Sequence, residues 1–146
     1  MDTLDKILKK LKVVEDIKRV MKVEKQIPRD GIIPENDAMV LHVQFLQAKM
    51  KMTDLLTKAR RYEQHVKLER NNKLNSLMSK SGEKSEAAKM RKAQGDITWQ
   101  TFHKERVNAE ILVDWLTNKR RDFGEASIMC RETLKFVRED KKEVGE

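Results

Sequence analysis

At 146 residues the chain has room for one domain or an extended helical assembly, which excludes a pair of independent globular cores. Charged and hydrophobic residues each make up 38%, with five Gly, two Pro and seven aromatics, a balance that favours long solvated helices over sheets, barrels or glycine-rich phosphate loops. The net charge of +8 points to an anionic partner, with nucleic acid ahead of membrane.

In chain order, residues 3–25 place Leu4, Ile7, Leu8, Leu11, Val14, Ile17 and Met21 at steps of three and four, predicting one amphipathic helix. Its lysines oppose that stripe as in a membrane-surface helix, but burial against the other helices is the favoured reading. Residues 26–36 hold both prolines and Gly31 and read as a linker, with Asn36 or Asp37 able to cap the second helix. From there Leu41, Phe45, Ala48, Met52, Leu55, Ala59, Tyr62 and Val66 alternate steps of four and three, a coiled-coil seam. Residues 37–95 are predicted as a basic helix to about Met78, a polar tip at Ser79–Gly82 and a short helix capped by Ser85. Gly95-Asp96 offers a break and restart. Residues 96–139 form the predicted C-terminal packing helix, with Phe102, Ala109, Leu112, Leu116, Phe123, Ala126, Cys130 and Val137 on one line, interrupted by Lys119 and Thr133. Ile111 and Trp115 widen it enough to reach a further neighbour. Residues 140–146 read as a frayed tail. The expectation is a single all-α domain: a long antiparallel helical hairpin with the N-terminal helix laid against it and coiled-coil-like packing. At 1.5 Å per residue the second helix alone would span roughly 60 Å.

The charge is uneven. Between residues 49 and 92 there are thirteen Lys and Arg against five Asp and Glu, while the remainder of the chain holds nineteen of each. The candidate phosphate contacts are therefore Lys49, Lys51, Lys58, Arg60, Arg61, Lys67, Arg70, Lys73, Lys80, Lys84, Lys89, Arg91 and Lys92. Lys49, Arg60 and Lys67 fall on one flank of the seam and Lys51 and Lys58 on the other, with Arg61 pointing away and the rest crowding the tip. Such a surface binds a nucleic-acid backbone by displacing condensed counterions, without reading sequence. A solvated charged face is the plainer alternative. Tyr62 is the window's only aromatic, and its place on the seam favours a core role over base stacking.

Catalytic constellations are missing. His42, His65 and His103 lie far apart and lack zinc-ligand spacing, and neither a phosphate-binding Gly-Lys loop nor a Gly-x-Ser-x-Gly turn occurs. The chain is expected to be neither an enzyme nor a user of cofactors or metal. Cys130, the single cysteine, reads as a small buried hydrophobe in a reducing compartment. No stretch approaches the roughly 20 apolar residues of a spanning helix, so a cytoplasmic protein without membrane attachment is expected.

Lys58-Ala59-Arg60 followed by Tyr62, then Ile111-Leu112-Val113-Asp114-Trp115, then Arg121-Asp122-Phe123 occur in order, and over about residues 38–138 the chain resembles the recombination mediator proteins of T4-like bacteriophages. The resemblance implies a ring-forming helical homo-oligomer that binds single-stranded DNA and helps a RecA-like recombinase replace a single-strand-binding protein. It makes Lys58 and Arg60 the leading DNA contacts and the segment around Leu112, Trp115 and Phe123 the leading assembly candidate, to which Leu116 and Cys130 are added from the same apolar line; a phage-encoded protein would act in the host cytoplasm. The family's doubled aromatic after the basic helix is here Tyr62 alone. The rival readings are a coiled-coil adaptor or virion assembly protein that does not bind DNA, and a regulator of duplex DNA.

Overall fold

The computed structural model describes residues 3–144. Among them are five helices and no strand: α1 Thr3–Lys10, α2 Val14–Glu24, α3 Ala38–Ser79, α4 Glu86–Gln94 and α5 Ile97–Val144. The protein is all-α, and its frame is the long antiparallel hairpin of α3 and α5.

The 42 residues of α3 form without interruption because no Gly or Pro intervenes and the seam supplies tertiary packing along most of the length. Phe45, Ala48, Met52, Leu55, Ala59, Tyr62 and Val66 are all buried, joined by Leu56, and they meet Ala109, Leu112, Leu116, Phe123, Ala126 and Cys130 of α5 in one core. The Phe45 and Phe123 rings lie 6.5 Å apart and tilted, both fully buried. His42 ties the two helices at the open end by donating from Nδ1 to the Ser127 carbonyl at 3.1 Å. At the tip, Ser85 accepts from the Ala88 amide at 3.1 Å and caps α4, while Asp96 Oδ1 accepts from the Thr98 and Trp99 amides and starts α5. Asp37 takes the cap position of α3, but its side chain makes no capping bond.

Three expectations need correction. The N-terminal helix predicted over 3–25 breaks after Lys10. Lys12 adopts a left-handed φ of 59°, and the Lys12 and Val13 amides bond back to the Lys9 and Leu8 carbonyls at 3.1 Å. No glycine marks this cap, so the sequence carries no signal for it. The bend shifts the buried register, so that Val13 and Val20 join Ile7 and Ile17 in the core. The apolar side of α1 and α2 is thus spent on the hairpin. At the other end α5 continues to Val144, making 140–144 helical instead of a frayed tail; Gly145 and Glu146 lie outside the described residues.

The third correction concerns assembly. Leu112, Leu116, Phe123 and Cys130 are at most 2% exposed and packed within the chain's own core. A side chain sealed between helices of one chain has no area left for a neighbour. Only Trp115 of that group stays half-buried, with the Lys119 ammonium 5.6 Å from its ring. Lys119 leaves the seam to donate to Glu24 of α2, so its interruption of the apolar line anchors an N-terminal helix. Among the described residues no helix is long and apolar enough to cross a membrane.

Candidate nucleic-acid interface

The two flanks of the hairpin seam differ, because α1 and α2 cover only one. On the covered flank Lys51 pairs with Asp16 of α2 at 3.3 Å, and Lys119 pairs with Glu24. Nearer the tip, Tyr62 donates its hydroxyl to Glu105, whose Oε1 also lies 3.3 Å from Lys10 Nζ; the same ammonium sits 5.2 Å from the Tyr62 ring centroid. Tyr62 is 7% exposed and fully engaged, so it offers no face to a base.

Burial, then the hydrogen bond and charge of Glu105, push the Tyr62 phenol well above the usual tyrosine range. Folding therefore favours the protonated phenol. That contribution is complete below about pH 10 and declines as pH rises above it, because the unfolded chain releases the proton first. The stability advantage of wild type over Tyr62→Phe is expected to be about 1–2 kcal/mol at pH 7 and to shrink by up to about 1.4 kcal/mol per pH unit above pH 10. Urea titrations of both proteins at several pH values measure it; a difference constant to pH 11 would contradict the buried pairing.

The opposite flank is open. Lys49, Arg60 and Lys67 recur there at spacings of eleven and seven residues, close to whole turns of α3. Lys49 is half-buried because its stem crosses α5 at Gly124, where an added Cβ would come within 3.5 Å of Nζ. Around that crossing Arg120, Arg121 and Arg131 of α5 line two adjoining shallow cavities with Lys49. Toward the tip, Arg70 Nη1 donates to His103 Nδ1 at 3.2 Å. Burial and then the neighbouring Arg106 lower the pKa of the Arg70 guanidinium from its ordinary value. Arg106 itself reaches Glu110 at 3.6 Å.

Of the thirteen sequence candidates, only Lys51 and Lys89 form ion pairs among the described residues, the latter with Glu86 at 3.6 Å. Lys58, Arg60, Arg61 and Lys67 are exposed along α3, and Lys80, Lys84, Arg91 and Lys92 are exposed at the tip and on α4. Lys73 is half-buried on the distal end of α3. Lys58 and Arg60 emerge on opposite sides of the seam, so the structure does not bring the two leading candidates together; Arg61 bridges them across the outer surface of α3. Sequence reasoning missed Trp99, His103, Arg106, Arg120 and Arg131. They share one flank of α5 at helical spacing, but positive charge there is balanced along the helix as a whole and a charge count passes over them.

Folding also leaves Met39, Val43, Leu46 and Met50 exposed at steps of four and three on the outer face of α3. No group of three or more His, Cys, Asp or Glu able to hold a metal ion occurs among the described residues. No protein-family model, curated protein or solved structure matches the chain.

Proposed function

We propose that the protein binds single-stranded DNA through the open basic flank of its hairpin and acts, as an oligomer, as a recombination mediator that helps a RecA-like recombinase displace a single-strand-binding protein. The observation that carries the DNA-binding part is the lack of internal neutralisation: the exposed cations of α3 and the tip have no carboxylate partners among the described residues, while α1 and α2 leave that flank uncovered. Uncompensated charge on a rigid rod attracts a polyanion and releases its counterions. The mediator role rests on the ordered resemblance of Lys58-Ala59-Arg60, Ile111–Trp115 and Arg121–Phe123 to the phage family. Copies presenting the same flank would gain avidity, because each later contact on one strand is intramolecular.

The adaptor reading keeps one observation of its own, the exposed stripe Met39, Val43, Leu46 and Met50, whose heptad spacing suits another helix. Light scattering with and without a long single-stranded DNA separates the two. Particles containing several protein copies per strand, dissolved by high salt, support the proposal. A defined oligomer whose mass and retention ignore DNA would support the adaptor.

A further inference from the structure

The basic flank ends in an aromatic pair. Trp99 and His103 occupy successive turns at the start of α5, with ring centroids 5.1 Å apart and planes within 9° of parallel. Both are half-buried, which leaves part of the stack open to solvent. The pair is held from two directions. The Trp99 amide bonds to Asp96 at 3.2 Å, and His103 Nδ1 accepts from Arg70 of α3. That acceptor role requires the Nδ1-unprotonated form of the imidazole. Arg70 and Arg106 stand beside the stack, and the buried Arg106 Nε has no hydrogen-bond partner.

We propose that this end of the hairpin is a base-stacking site for an unpaired nucleotide, in which a base extends the Trp99–His103 stack and Arg70 and Arg106 take its flanking phosphate. The inference rests on the reading of the basic flank as a single-stranded DNA interface and adds what phosphate contacts alone lack. Phosphate binding does not distinguish one strand from two, whereas a duplex keeps its bases stacked internally and offers no free face to the indole. A ring pair fixed by a helix cap and a cross-helix hydrogen bond loses little freedom on binding, so most of the stacking energy is retained. Arg106 pairs with Glu110 at 3.6 Å while Arg70 forms no ion pair among the described residues, so the two guanidiniums have donors to spare, and a phosphate oxygen placed between them would relieve their mutual repulsion.

The test compares a short oligothymidylate with an abasic strand of the same length and charge. Wild type is expected to prefer the thymidylate by at least about fivefold, the lower end of the range for one stacked base. Trp99→Ala should erase that preference while keeping the salt dependence of binding. Trp115→Phe leaves Trp99 as the only tryptophan, and its fluorescence should be quenched by the thymidylate and not by the abasic strand; this reading needs no truncation at the site. Equal, salt-dependent affinity for both strands with no quenching would overturn the stacking site and leave the phosphate interface standing. Failure of wild type to bind either strand would overturn both.

Discussion

Phe123→Ala is expected to lower the unfolding free energy by about 3–5 kcal/mol, the cost of removing a buried aromatic and leaving a cavity that helices cannot easily close. Phe123 is fully buried and faces Phe45 across the principal helix contact, so the lost volume lies where α3 and α5 hold each other. A domain of this size is stable by only about 5–15 kcal/mol, so the change should move the urea midpoint far to the left or leave the chain largely unfolded at 37 °C. Phe136→Ala is the internal comparison. Phe136 is 65% exposed on the distal part of α5, and its truncation should fall within about 0.5 kcal/mol of wild type. Equal effects at the two positions would mean that the hairpin core has been wrongly drawn.

The second large effect concerns binding. Replacing Arg60, Arg61 and Lys67 together by Ala should weaken single-stranded DNA binding by about a hundredfold near 0.1 M salt, because each neutralised phosphate contributes about 0.7 to the logarithmic salt dependence of a single strand. The three side chains are exposed and form no ion pair among the described residues, so circular dichroism and thermal unfolding should hardly change. Lys51→Ala supplies the contrast. Its partner Asp16 lies on α2, so the substitution should affect docking of the N-terminal helices and leave DNA affinity within about twofold. Lys51→Ala weakening binding as much as the triple variant would place the interface on the wrong flank.

Much of the frame was legible in the amino-acid sequence because it depends on short-range rules. A stripe from Leu41 to Val66 without Gly or Pro reads as one helix facing one partner, and Ser85 and Asp96 act as the caps their side chains suggest. The bend at Lys12 was not legible, since a lysine in the left-handed region is held there by the burial of Val13 and no residue type announces it. Four of the five residues assigned to assembly, Leu112, Leu116, Phe123 and Cys130, lie in the chain's own core for a related reason. Periodicity shows that Leu112, Leu116 and Phe123 are buried, but not whether their cover is the same chain or a second one. The site was half legible: the sequence located the charge between residues 49 and 92, but only folding shows that Lys51 is covered while Lys49 gains Arg120 and Arg131. Trp99 and His103 lie far from Arg70 in the sequence, and the hairpin turn is what brings them beside it.

The most direct test of the exposed basic flank is a salt titration of wild type and the triple α3 variant on one labelled single-stranded oligonucleotide, with the association constant tracked from low to moderate salt. Wild type should give a steep linear decline on logarithmic axes, and the variant a decline shallower by about 2 in slope. Identical slopes, or no binding by wild type at the lowest salt, would contradict it.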